Sequence, residues 1–258
     1  MSAVVAGSAA RRDRESELTD ALVALRSRLA AAAEAAGRKG GEIELLPITK
    51  FFPATDVAIL SGLGCSSFGE SREQEASAKV GELTRLLGTA TRTVHWHMVG
   101  QIQRNKSRSL ARWAHTVHSV SSSRVVSALD RAVRAALDDG RRSDPLRVYI
   151  QLSLDGDVSR GGVDVSVPGA VDELCAQVDA AENLELVGLM GIPPLEWDPE
   201  RAFTLLQAEH TRILQTHPRA VGLSAGMSND LEVAIKHSST CVRVGTALLG
   251  PRPLPSPY

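Results

Sequence analysis

The sequence predicts a single (β/α)8 barrel of the α/β class, with an extra helix in front of it. Three observations carry that prediction. Segments of strand character alternate with segments of helical periodicity along the chain. They make eight strands, each of the first seven followed by a helix, within about 215 residues. Polar residues and glycines collect at the C-terminal ends of the strands, whereas the strand bodies are apolar. Such alternation builds a parallel sheet with both faces covered, and eight units is the number that closes a barrel. An open doubly wound sheet is the alternative, but no GxGxxG follows an early strand.

Each element has a local reason. A helix is expected from Asp13 to Ala36, because Leu18, Leu22, Leu25 and Leu29 recur at helical spacing and Gly37 stands at the C-cap position. EIELLPITK (42–50) reads as a buried strand, and Pro53 opens the helix ATDVAILSGL. CSSFGES (65–71) is a strand running into a loop, and 72–87 is a helix with an outer charged face. TVHWHMVG (93–100) is a strand, followed by a short helix at 105–113. HTVHSV (115–120) is a strand, and Ser122 or Ser123 caps a helix ending near Leu137. PLRVYIQLSL (145–154) is a strand, GDVSRGGVDVS a glycine-rich loop, and Pro168 to Ala181 a helix. LELVGLMGI (184–192) is a strand, and Asp198 to Thr216 a helix. AVGLSAG (220–226), SNDLEVAIKHS (228–238) and TCVRVGTALLG (240–250) complete the pattern as strand, helix and strand. The domain therefore spans 13–252, with a flexible N-terminus at 1–12 and a loose Pro-rich tail at 253–258.

Composition narrows the function. The 258 residues are 43% hydrophobic and 23% charged, which suits a globular protein with a sizeable core. A net charge of −1 supplies no global field for nucleic acid or anionic membrane, and 3% aromatics disfavours a stacking platform for single strands. No apolar run reaches the roughly 20 residues that cross a bilayer. Cys65, Cys175 and Cys241 are far apart and form no CxxC, so a reducing compartment is expected. The N-terminus places its charges after its apolar stretch, unlike a signal peptide, and a cytoplasmic location follows as the expectation.

The strand ends carry the chemistry. Lys50 closes the first apolar strand and is one of only five lysines against 24 arginines. A lysine at a barrel mouth is placed to lose its proton by partial desolvation and attack an aldehyde, the alternative being a side chain that snorkels into solvent. Ser224-Ala-Gly226-Met-Ser228 after the seventh strand offers hydroxyls, a glycine turn and a helix start, all suited to phosphate. Arg243-Val-Gly245-Thr246 after the eighth adds a second such segment in the adjacent loop, where this barrel class places its phosphate site. Ordinary turn and N-cap chemistry is the competing reading of both segments. His95 and His97 share a face of the third strand; without a third ligand, a hydrogen-bonded histidine is favoured over a metal site. Asp155, Asp157 and Asp164 lack calcium-loop spacing and read as solvated turn residues.

The segments LLPITK (45–50), FGESREQEA (68–76), HWHMVGQIQRNKSR (95–108), GLMGIPP (188–194), LSAGMSNDLEVAI (223–235) and VRVGTALLG (242–250) resemble, in order, those of the YggS/PROSC family of pyridoxal 5′-phosphate (PLP) homeostasis proteins. The resemblance implies the barrel of the N-terminal domain of alanine racemase and a PLP-binding protein without catalytic turnover. It also assigns residues. Lys50 matches the lysine that links PLP as an aldimine. Ser224, Gly226 and Ser228 match the phosphate loop, and Gly245 and Thr246 its second segment. Arg243 matches the arginine beside the pyridine nitrogen. Ser71 stands where the family often has asparagine. A permanent cation beside the ring nitrogen opposes its protonation and weakens the electron sink. The implied role is carrying or buffering PLP, with PLP-dependent apo-enzymes as recipients and a monomer as the expected state. The alternatives are a PLP-dependent amino-acid racemase, which needs a second base that is not evident, and a PLP-free barrel enzyme on a phosphorylated metabolite.

Overall fold

The computed structural model describes residues 2–252; the Pro-rich tail at 253–258 lies outside the described residues. Among the described residues, nine parallel strands alternate with helices, save that only a short 3-10 turn separates the fifth from the sixth. They are β1 (Glu44–Pro47), β2 (Ser67–Glu70), β3 (His95–Met98), β4 (Thr116–Val120), β5 (Leu146–Ser153), β6 (Val163–Asp164), β7 (Leu184–Gly191), β8 (Gly222–Ser224) and β9 (Cys241–Val244). Eight of them run in the order β1-β9-β8-β7-β5-β4-β3-β2. The ring closes between β1 and β2 through one bridge, Ile48 to Gly69, with the Thr49 N–H donating to Gly69 O at 2.9 Å. The expected (β/α)8 barrel is therefore present.

The ninth strand is the departure. β6 falls inside the stretch read as a glycine-rich loop and pairs with β5 outside the ring. Gly162 allows it: with φ of +108°, a Cβ there would stand 2.6 Å from the Leu152 carbonyl carbon. Two residues are too short to produce a readable alternation, so periodicity had nothing to register. Of the aspartates of this loop, Asp155 and Asp157 are both paired with Arg160, while Asp164 accepts from the Ser166 N–H.

The helices are α1 (Ser2–Ala35), α2 (Ala54–Gly62), α3 (Glu73–Leu87), α4 (Ser107–Trp113), α5 (Ser123–Asp138), α6 (Ala170–Asp179), α7 (Pro199–Leu214), α8 (Leu231–Lys236) and α9 (Thr246–Leu249). Helix α1 is continuous from Ser2, where periodicity starts it at Asp13. Its leucine ridge, Leu18, Leu22, Leu25 and Leu29, is buried and packs in one cluster with Val242 and Val244 of β9 and Leu248 and Leu249 of α9. Because strand residues alternate, Cys241 and Arg243 then face the barrel interior. Ser122 holds the N-cap position of α5 in extended conformation but makes no side-chain cap bond.

Candidate functional site

Lys50 owes its position to the chain just past β1. Thr49 to Phe52 form a turn closed by the Phe52 N–H donating to Thr49 O at 3.0 Å. Its third residue, Phe51, has φ of 72°, a left-handed conformation that costs a non-glycine residue about 1–2 kcal/mol. The Phe51 ring has the guanidinium of Arg72 at 5.6 Å and that of Arg252 at 5.2 Å. Thr49 is clamped from behind. Its hydroxyl donates to Glu70 Oε1 at 2.6 Å, and Lys79 Nζ donates to Thr49 O at 2.7 Å while pairing with the same Glu70 oxygen. Glu70 and Lys79 are both buried. Lys50 itself is half-buried, and among the described residues its amine makes no hydrogen bond or ion pair. Burial, then the charge of Arg252, pushes its pKa below the ordinary lysine value; Glu70 opposes this and Arg72 adds to it.

A cleft of about 480 Å³ opens in front of this amine. Of the residues predicted from sequence, Lys50, Ser228, Arg243, Gly245 and Thr246 line it together. Among the described residues, no main-chain acceptor takes the N–H groups of Ser228, Asn229, Gly245 and Thr246. Two short segments thus present unpaired donors to one space, as a phosphate requires. Gly226 and Ser224 do not line the cleft. Gly226 builds the turn beneath it: its φ is +90°, a Cβ would stand 2.6 Å from the Ala234 Cβ, and its carbonyl accepts from the Arg243 N–H at 2.9 Å. Ser71, the substituted position, does line the cleft, as do Phe51, Asn229 and Arg252.

Arg243 is 5% exposed and pairs with no carboxylate among the described residues. Its Nη2 donates to Gly191 O at 3.0 Å and its Nη1 to Ser224 Oγ at 2.7 Å. Ser224 is hydrogen-bonded in turn to His118 Nδ1 at 2.9 Å, and His118 Nε2 to His97 Nδ1 at 2.9 Å. Tyr149 stacks on His118 at 4.5 Å. The Ser224 hydroxyl is therefore engaged in holding Arg243. Burial keeps both histidines neutral: His97 is pushed down to about 3, first by desolvation and then by His95 and Arg147, and His118 well below its ordinary value by desolvation, His97 and Arg243. His97 is the hydrogen-bonded core histidine expected from sequence, whereas His95 lies exposed and stacks on His115. Burial raises the Tyr149 hydroxyl above the usual tyrosine range. Tyr149 does not reach the cleft and places no second base opposite Lys50.

The "Alanine racemase, N-terminal domain" family model matches residues 21–253. A pyridoxal phosphate homeostasis protein of Mycobacterium tuberculosis is 74% identical over 249 residues, covering 95% of this chain and 96% of that one. The chain belongs to the YggS/PROSC family. Its more distant members include the pyridoxal phosphate homeostasis proteins of Corynebacterium glutamicum, 46% identical over 89% of this chain and 100% of that one, and of Escherichia coli, 34% identical over 90% and 95%. Among solved structures, PipY of Synechococcus elongatus with PLP bound superposes with a TM-score of 0.74 at 29% identity, covering 90% of this chain and 100% of that one. Alanine racemase of Clostridium difficile, at 15% identity and a TM-score of 0.61, shares the fold and extends well beyond it, this chain covering 56% of its length.

The donor set of this YggS/PROSC chain fits PLP group by group. A half-buried amine of lowered pKa suits the aldehyde, unpaired N–H groups and the Thr246 hydroxyl suit the phosphate, and a buried guanidinium without a counter-ion suits a ring-nitrogen acceptor.

Proposed function

We propose that this protein binds PLP in the cleft at the mouth of its barrel and contributes to intracellular PLP homeostasis as a carrier or buffer. The observation that carries the reading is the convergence of Lys50, Arg243 and the Ser228 and Gly245–Thr246 donors on one cleft. Bound PLP supplies an aldehyde that condenses reversibly with a primary amine. Lys50 is the residue that takes it, because desolvation leaves more of its amine unprotonated near neutral pH than a surface lysine has. Ser228, Gly245 and Thr246 hold the phosphate through main-chain N–H groups and hydroxyls. Arg243, fixed by Ser224 and Gly191, presents a permanent cation to the ring nitrogen and keeps a proton off it. That restraint supports holding the cofactor without turnover, and the carboxylate that lines the cleft, Asp230, is engaged in accepting from the Met227 N–H. Reversible attachment suits release to the amines of apo-enzymes. The three buried, unpaired cysteines fit a reducing, cytoplasmic setting.

The test is an absorbance spectrum of PLP-saturated protein before and after borohydride, followed by peptide mapping. Label on the Lys50 peptide, absent in Lys50→Ala, is expected. Label on Lys79 or Lys106 instead overturns the assignment, and a protein that stays colourless with PLP overturns the reading. Amino-acid α-proton exchange in deuterated water by the loaded protein favours the racemase alternative.

A further inference from the structure

The chain's net charge of −1 conceals a strong local asymmetry. Between residues 104 and 134 stand six arginines and one lysine against a single carboxylate, Asp130. The fold gathers much of this charge on one outer surface, because the segment Arg104–Lys106 and helix α4 pack beside α5. A groove of about 610 Å³ lies between them, lined by Arg104, Asn105, Ser107, Arg108 and Arg131, with Ala128, Ala132 and Ala135 as its small-residue floor. It shares no lining residue with the cleft at Lys50.

The groove's donors are uncommitted. Arg104, Arg108 and Arg131 make no ion pair or side-chain hydrogen bond to any described residue. The neighbouring charges are occupied elsewhere: Lys106 pairs with Glu73, and Asp130 accepts from Asn183. Ser107 is 3% exposed, yet its Oγ has no hydrogen-bond partner. A buried hydroxyl left unpaired costs about 1–3 kcal/mol, so a lone one lining a concave arginine-walled space points to a group that it meets there. Three guanidiniums around one hollow exceed what a single carboxylate neutralises. A phosphate dianion, with several acceptor oxygens, matches their forked donors. No aromatic residue lines the groove, so it offers no stacking platform for bases.

We propose that this groove is a second ligand site, which binds a phosphorylated small molecule by its phosphate through Arg104, Arg108, Arg131 and the Ser107 hydroxyl. The Ala floor lets the ligand approach α5 closely, while the open side leaves room for the rest of the molecule.

Calorimetric titration of inorganic pyrophosphate into PLP-saturated protein tests this, since saturation occupies the first phosphate site. Saturable 1:1 binding is expected, weakening as salt is raised. Arg108→Ala and Arg131→Ala should each weaken it by about ten-fold or more, and Ser107→Ala by several-fold. Arg108→Lys, which keeps the charge but loses the fork, should fall between wild type and Arg108→Ala. No binding to the wild type, or unchanged affinity in the Arg108→Ala/Arg131→Ala double variant, overturns the proposal. A polyglutamate peptide that binds as tightly as pyrophosphate, with Ser107→Ala weakening neither, would assign the groove to acidic protein surfaces and also overturn the proposal.

Discussion

Ser224 and Thr246 are alike in chemistry and unlike in surroundings. Thr246 is exposed in the cleft; Ser224 is fully buried and bonded to Arg243 and His118. Thr246→Ala is therefore expected to weaken PLP by about ten-fold and to leave pyridoxal, which has no phosphate, nearly unchanged. Ser224→Ala should weaken both ligands alike, because it loosens the Arg243 guanidinium, which we propose meets the ring. Equilibrium titration of the two ligands against the two variants checks this, and a phosphate-selective loss in Ser224→Ala would return that serine to the phosphate site. Lys50 was legible because a lone lysine ends an apolar strand. The role of Ser224 was not, since it depends on a histidine 106 positions away in the chain. Position along the strand marked the end of the barrel where the cleft opens, but only packing could say which side chains line it.

At the scale of elements, the alternation of strands and helices was readable because each barrel strand is an apolar run bounded by turn residues. The clamp that joins β1, β2 and α3 was not. Lys79 sits in a helix of charged residues, and nothing in its neighbours distinguishes it from a solvated lysine; only the fold buries it against Glu70. Lys79→Met should destabilise the protein by about 3–5 kcal/mol, because it leaves the Glu70 carboxylate buried without its cation. Adding Glu70→Gln should recover most of that loss. Urea unfolding of the two single variants and the double variant gives the coupling directly. An additive double variant would mean that the pair contributes packing alone. Since Thr49 accepts from Lys79, the Lys79→Met variant should also take up PLP more slowly at Lys50 than wild type does.

Across the whole molecule, the buried histidines tie stability to pH. The unfolded chain binds protons at His97 and His118 below pH 6.5, while the folded chain keeps His97 neutral down to about pH 3 and holds His118 neutral as well. The unfolded state then carries more bound protons in that window, so stability falls as pH drops from 6.5 toward 3. The slope reaches about 1.4 kcal/mol per pH unit for each histidine, and His118→Gln should remove one histidine's share of it. Unfolding free energies measured between pH 7 and 4 check this; parallel wild-type and variant curves would refute it. The single bridge between β1 and β2 carries a different consequence. Most neighbouring strands in the ring share longer ladders, up to the seven residue pairs between β5 and β7; β8 and β9, with Ser224 opposite Cys241 as their one registered pair, are the other short contact. The Thr49 amide, at this seam, should therefore exchange with solvent deuterium sooner than amides of central β5 such as Ile150, through local openings too small to unfold the barrel. Those openings would expose the backbone beside Lys50, so the rate at which the seam breathes sets an upper limit on how fast the amine's surroundings can rearrange.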